Sequence, residues 1–498
     1  MLKRVAVVSI APVLPGAVHG GSQRILDGVL RGLADAGAEV RVVCSWRPEN
    51  VGGFDIAPNI KVEPLLRLTG YFPDPWEVPP HQILQSAQAL APVFEWAESV
   101  YLHADTFYLR RLIPDGRRVV RSFHDFHYET ALVSAFAFDA DLTIVPSDYL
   151  KRCIDVTSGA FRATSTGDYV EPAVEIPNGI DINNYSPRGG VTPRGVRERT
   201  DGDLVLLWPH RPDPRKGIAE AIEIAGQLSR RLTDRNVRLL VPRHVDAASS
   251  PETREFYDYA IKRATVEGVL ESLEFTPWWN GNETAEAYSF ADITLCPGNF
   301  IESFGLVAYE SLACGTPVVA ARVGAMRDLP HHPDVHTFPY GDARQAADAA
   351  LAASTGMTDP AGIRDQIARH FSFGSMQNNY VAAITGELPD KHVPAPPTSN
   401  LYMLAPWCTV SGERVYNDYD FGWTLRPELA AFLGVVEGRK SGDRHFRTAD
   451  LNDAGVIPEE IEQALEDGVL VRARPQYRNT RHIGTHVPSP PHFHHLPL

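Results

Sequence analysis

Short runs of β-branched residues alternate with longer amphipathic stretches along most of this chain, and that alternation restricts it to βα units wound around parallel sheets. A first series runs from the N-terminus: VAVVSI, a helix from about Ser22 to Ala36, AEVRVVCS, RRVVRSF and ADLTIVPS. A second begins near Leu204 with LVLLWPH and continues through a helix from about Ile218 to Leu232, then VRLLVP, SLEFTP, ADITLCP and TPVVAA. Strands covered on both faces read as continuous apolar runs, as these do. The expected fold class is therefore α/β, with two doubly wound, Rossmann-like domains.

Between the two series lies EIPNGIDINNYSPRGGVTPRG, where Pro, Gly and Asn cluster and periodicity is lost. The expected organisation follows: a first domain over 1–188, a second over 189–375, a crossover helix and Pro-rich linker over 376–400, and a small α+β module over 401–498. In that module VIPEEIEQALEDG predicts a helix, with Pro458 in its first turn and Gly468 at its end, followed by the strand VLVRAR. The pattern is winged-helix-like. Few basic residues in its helix favour packing, dimer formation or acceptor gating over nucleic-acid binding, so a homodimer is allowed.

Composition narrows the partners. A formal net charge of −15 leaves no broad basic surface to neutralise a nucleic-acid backbone or an anionic bilayer. Lys3 and Arg4 precede an apolar run as in a signal peptide, but Pro12 and Pro15 break it, and a buried strand over Val5 to Ile10 is the better reading. No run approaches the ~20 apolar residues of a membrane helix. Five scattered cysteines without CxxC spacing read as reduced thiols and favour a cytoplasmic location. Asp139 and Asp141 are expected to open a strand, and His486, His492, His494 and His495 to belong to a Pro-rich tail, so no metal site is expected.

Chemistry concentrates after ADITLCP. There the segment Glu302-Ser-Phe-Gly-Leu-Val-Ala-Tyr-Glu310 runs from a loop into a helix, leaving the backbone N–H groups of Ser303, Phe304, Gly305 and Leu306 free at the helix start, where anions bind. Upstream, Arg211 and Lys216 of LLWPHRPDPRKGIAEAIE flank the start of another helix after a strand. A planar guanidinium fork and a mobile ammonium can together bind a diphosphate. At the N-terminus, Gly20 and Gly21 allow close backbone approach to a phosphate or acceptor, and Ser22 is expected to cap the helix that follows.

ESFGLVAYE with GTPVVA after it resembles the E-x7-E signature of retaining GT-B glycosyltransferases, in particular glycosyltransferase family 4, and the likeness runs over about residues 1–385. The resemblance implies a GT-B fold, with Glu310 on the ribose hydroxyls of a nucleotide and Glu302 on the donor sugar. It places the amides of Phe304, Gly305 and Leu306 against sugar and diphosphate, and Arg211 and Lys216 on the phosphates. His124, after RRVVRS, matches a histidine that meets the donor sugar from the first domain, with His127 as the competing candidate. Ser147, and Asn178, Gly179 and Asp181, look like landmarks near the hinge. Many members read GG-x-x-E where this chain has Gly324, Ala325 and Asp328, and the last hundred residues have no counterpart.

The implied activity is retaining, metal-independent transfer of a glycosyl group from a UDP, GDP or ADP sugar by front-face substitution, with no cofactor beyond that substrate. Over residues 1–185 there are 16 Lys and Arg against 22 Asp and Glu, which favours a soluble small-molecule acceptor over a lipid-linked or polysaccharide one. A catalytically silent nucleotide-sugar-binding protein is the alternative from another class.

Overall fold

The structure, a computed structural model, describes residues 3–16, 20–67, 79–104, 107–124, 140–164, 173–245, 250–388, 400–419, 422–439 and 444–473. His127, Asp139, the Pro-rich linker and the C-terminal histidines lie outside the described residues.

The first sheet has eight strands: β1 (Arg4–Ser9), β2 (Glu39–Ser45), β3 (Phe54–Ala57), β4 (Ile60–Leu66), β5 (Ser99–His103), β6 (Arg118–Ser122), β7 (Leu142–Val145) and β8 (Ala173–Glu175). Their order is β3-β4-β2-β1-β5-β6-β7-β8, parallel except for the edge strand β3, which runs antiparallel to β4. VAVVSI is thus a central strand, and Val5, Ala6, Val7 and Val8 are fully buried. The second sheet has six parallel strands: β9 (Asp203–Leu207), β10 (Asn236–Arg243), β11 (Leu273–Pro277), β12 (Ile293–Cys296), β13 (Val318–Ala321) and β14 (Val335–Phe338). They are ordered β11-β10-β9-β12-β13-β14. Each sheet reverses its winding beside its first strand, between β1 and β5 and between β9 and β12. Crevices at the carboxyl ends of such switch points are where open α/β sheets bind ligands.

The helix Phe373–Thr385 returns from the second unit to the first. It packs on Gly20–Asp35, and that packing requires glycine: a Cβ on Gly28 would lie 2.5 Å from the Phe373 ring. Tyr380, fully buried on this helix, meets Tyr101 of β5 edge to face at 5.9 Å between ring centres.

The C-terminal part contains two three-stranded antiparallel sheets. One joins β15 (Leu401–Leu404), β19 (His445–Arg447) and β20 (Leu470–Arg472), the other β16 (Cys408–Ser411), β17 (Arg414–Asn417) and β18 (Trp423–Thr424). Helices Pro427–Glu437 and Pro458–Glu466 cover them, with Leu429, Leu433, Val436, Ile461 and Ala464 in a common core.

One expectation fails locally. The first long helix begins at Gly20, so Ser22 lies inside it rather than capping it, and its hydroxyl meets His103 Nε2 of β5 at 2.9 Å. A nearby imidazole outcompetes the backbone for that hydroxyl.

The switch point of the second sheet rests on two glycines. Gly217, at φ +84°, precedes the helix Ile218–Arg231, and a Cβ there would lie 2.4 Å from the amide nitrogen of Gly298. Gly217→Ala combines left-handed strain with a backbone clash and is expected to cost about 2–4 kcal/mol. Urea unfolding followed by tryptophan fluorescence checks this; a midpoint equal to that of the parent chain refutes it.

Candidate functional site

At the carboxyl ends of β9 and β12 two loops lock together. Trp208, fully buried, donates its indole N–H to the Lys216 carbonyl at 3.0 Å, and the Phe300 amide donates to the Arg215 carbonyl at 2.8 Å. His210 is fixed beneath them by its Nε2 contact with the Leu295 carbonyl at 3.0 Å. This scaffold brings Lys216 Nζ within 2.5 Å of Glu302 Oε1 and 3.5 Å above the centre of the Phe300 ring. Arg211 and Arg215 flank the same ring, at 5.5 and 5.0 Å, and both pair with Asp213. The result is a cationic rim around one aromatic ring, with one carboxylate at its inner edge. Burial, with Lys216 adding to it, pushes the His210 imidazole down to about 4, so that ring stays uncharged beneath the rim.

The chain then turns into the helix Leu306–Ala313. Gly305 precedes it at φ +91°, and a Cβ there would press to 2.8 Å from the Met326 methyl carbon. Among the described hydrogen bonds none occupies the amides of Ser303, Phe304, Gly305 or Leu306, which stand at the positive end of the helix. Phe304 itself points inward, stacked on Tyr309 at 4.7 Å between ring centres. Only its backbone is available to a ligand.

Glu310 lies on the same helix and is buried. Its carboxylate pairs with the Arg24 guanidinium of the first unit at 2.7 Å and accepts from the Tyr288 hydroxyl at 3.2 Å. Arg24 also donates to the Tyr185 hydroxyl at 2.6 Å. Burial pushes the Glu310 carboxyl up and Arg24 opposes it; conversely Glu310 raises Arg24, which stays charged. Gly21 reaches this region as well, whereas nothing lies within 4 Å of a Cβ on Gly20. A Cβ on Gly21 would lie 3.0 Å from the Leu306 side chain, which puts the start of the first helix against the start of Leu306–Ala313.

His124 belongs to a different cluster. Its described partners are Ser122, at 3.2 Å, and His103, whose ring centre is 4.5 Å away, both in the first sheet. The structure therefore joins Lys216 with Glu302, Arg211 with the same rim, and Gly21 with Leu306, and shows His124 with first-sheet partners. Sequence reasoning passed over Phe300, Arg215, Asp213, Tyr288 and Arg24. The RPDPRKG run offered a signal for Arg215 and Asp213. Nothing local marked Arg24, whose partner lies 286 positions away.

The first unit also carries a half-open cleft of about 620 Å³ between the loop Ala11–Gly16, the helix face carrying Gln23, Asp27 and Arg31, and β3. Among the described residues no helix is long and apolar enough to cross a membrane.

Two α/β units meeting at facing switch points define the GT-B class of fold, and solved structures agree: sucrose-phosphate synthase from Thermosynechococcus elongatus aligns with a TM-score of 0.57 at 18% identity, over 76% of this chain and 97% of that one. More narrowly, residues 194–355, which hold the cationic rim, Glu302 and Glu310, match the family Glycosyl transferases group 1. A D-inositol 3-phosphate glycosyltransferase of Geodermatophilus obscurus is 34% identical over 152 residues, 30% of this chain and 33% of the relative. A phosphatidyl-myo-inositol mannosyltransferase of Mycobacterium leprae is 31% identical over 181 residues, 36% of this chain and 44% of the relative. These matches span between a third and a half of the relatives' length.

Two buried histidines, His103 and His210, and the half-buried His124 give the protein an acid-side dependence. Burial pushes His124 and His210 down to about 4 and His103 well below its usual value, with His124 adding to the effect on His103. Unfolded, each titrates near 6.5. Between those values the unfolded chain binds protons that the folded chain excludes, so stability present above about pH 6.5 is lost as pH falls toward 4, by up to about 1.4 kcal/mol per pH unit for each histidine. Urea midpoints at several pH values test this. His124→Gln should flatten the slope by up to one proton's worth, and an unchanged slope contradicts the assignment.

Proposed function

We propose that the protein is a retaining glycosyltransferase that moves a sugar from a nucleoside-diphosphate donor to a soluble small-molecule acceptor. The observation that carries this reading is the meeting of Lys216 with Glu302 at the β9/β12 switch point, beside four amides at a helix start that no described hydrogen bond occupies. Lys216 and Arg211, with the amides of Ser303 to Leu306, hold the diphosphate and stabilise the charge that grows on the leaving phosphate as the glycosidic bond breaks. Glu302, already bound to Lys216, orients the donor sugar through its hydroxyls. Glu310 takes the ribose hydroxyls once Arg24 yields its carboxylate. Gly20 and Gly21 border the phosphates from the first unit. His124, kept neutral by burial, acts as a hydrogen-bonding partner of the sugar.

These groups do the phosphate work without a metal ion, and substitution proceeds on the face from which the leaving group departs, its phosphate oxygen accepting the acceptor's proton. The acidic balance of residues 1–185 supports a soluble acceptor, as does a first-unit cleft of about 620 Å³, which falls in the range of small-molecule sites. Of the relatives, one is named for an inositol phosphate and the other for a phosphatidyl lipid, so product analysis must discriminate the two acceptor classes.

The first test is thermal unfolding with UDP, GDP, ADP and their sugar conjugates, since a ligand bound to the native state raises the midpoint. One base should give a clear rise, and Glu310→Ala should weaken that nucleotide by about tenfold or more, the loss of roughly 1.4 kcal/mol of contact. Lys216→Ala should lower kcat by about 10²–10³. Nucleotide binding with neither transfer nor donor hydrolysis would make the chain a silent binding protein; no response to any nucleotide would end the reading.

A further inference from the structure

The turn Gly324–Asp328 borders Glu302 on one side and the C-terminal module on the other. The Ala325 amide donates to the Glu302 carbonyl at 2.7 Å, and a Cβ on Gly324 would lie 2.5 Å from that same oxygen. From behind, the turn is held by Asp418, which follows β17 and whose side chain is fully buried. The Asp418 carboxylate accepts both terminal nitrogens of Arg327 at 2.6 Å each, the Gly324 amide at 3.1 Å and the Tyr149 hydroxyl at 3.0 Å. Arg327 is buried too, and donates further to Thr409 Oγ1 at 2.7 Å and to the Trp407 carbonyl at 3.1 Å. Tyr149 belongs to the helix Asp148–Thr164 of the first unit, and Arg152 of that helix pairs with Asp328 at 2.7 Å. All three parts of the chain therefore converge on one carboxylate, two hydrogen bonds away from the backbone of Glu302.

A buried ion pair is poor evidence for net stability, because desolvating both charges offsets most of their attraction; its best-attested use is to fix one arrangement among several. Here the arrangement fixed is that of the turn. Attachment of the module would be served by the Arg327 fork alone, whereas the bond from the Gly324 amide ties the carboxylate to the backbone that abuts Glu302. We propose that Asp418 is a positioning residue for sugar transfer: the C-terminal module is an integral wall of the donor site, holding the Gly324–Asp328 turn and through it Glu302. The inference rests on the reading of Lys216 and Glu302 as a donor site. Glu310 has other partners, so the sugar end of the site should depend on Asp418 and the nucleotide end should not.

The experiment uses the full chain and reads two quantities separately: kcat with the nucleotide sugar, and the Kd of the free nucleoside diphosphate that binds the parent protein. Asp418→Asn is expected to lower kcat by about 10-fold to 100-fold, the scale of a misplaced reacting group, while the nucleotide Kd moves less than about twofold. Because Asp418→Asn strands the Arg327 charge, the double variant Arg327→Met with Asp418→Asn removes both charges, and Tyr149→Phe leaves the pair intact while deleting one bond to it. Both should shift kcat in the same direction, Tyr149→Phe least. Parent-like kcat in folded Asp418→Asn or in the double variant overturns the proposal, and so do parallel losses of kcat and nucleotide affinity, which mark general damage. Should neither charge variant fold, unchanged kcat in Tyr149→Phe overturns it. A parent chain that neither binds nucleotide nor transfers sugar removes the donor-site reading itself, a result distinct from all of these.

Discussion

The contact between Lys216 and Glu302 depends on nearly everything else in the second unit. An ammonium and a carboxylate from two different loops stay together only if both loops are rigid, and rigidity here comes from backbone crowding. Gly217 and Gly298 let the two loops touch main chain to main chain, and the Trp208 indole and the Phe300 amide bolt them to each other. The strands beneath are buried on both faces, so the loops at their ends inherit a fixed floor. Charge is then assembled above an aromatic ring, where Phe300 attracts three cations that would repel one another in water.

The two glutamates of the E-x7-E segment are neutralised in different ways. Glu302 takes a cation from its own sheet, and Glu310 takes Arg24 from the opposite unit. In that second pair the carboxylate is buried while the guanidinium stays partly exposed, and a buried carboxylate deprived of its partner is costly. A ligand that claims Glu310 must therefore supply hydrogen bonds equal to those of Arg24, which a pair of vicinal hydroxyls can do. Binding at Glu310 and the seating of the first helix are consequently linked through one guanidinium. The close approach of Gly21 to Leu306 ties the same helix start to the amide cluster, so a shift of the helix would disturb that cluster as well.

How much of this could be read from sequence depends on the range of the interaction. Runs such as VAVVSI, LVLLWPH and ADITLCP announce strands because burial on two faces demands unbroken apolar residues, and β1, β9 and β12 lie where those runs are. The Glu302 to Glu310 segment was legible because its chemistry is local: a loop, a left-handed glycine and a helix start within nine residues. The edge strand β3 and its neighbour β4 were not singled out, since half-exposed residues blur the pattern. Ser22 was misassigned as a cap because its true partner, His103, is 81 positions away. Arg24 and Asp418 were invisible for the same reason: an isolated arginine or aspartate carries no sign of the charge it will meet.

That last limit bears on the C-terminal module. Its strands are short and its helices ordinary, so by sequence it reads as an appendage. Yet an appendage needs only a surface to rest on, and a surface contact does not place an aspartate wholly out of solvent among an arginine fork, a tyrosine hydroxyl and a main-chain amide drawn from two other units. Burying that carboxylate is tolerable because each neighbour donates to it; without the turn it loses its counter-charge, and without the helix it loses one further donor. The junction therefore draws on both units, and through the Ala325 amide it adjoins the main chain of Glu302.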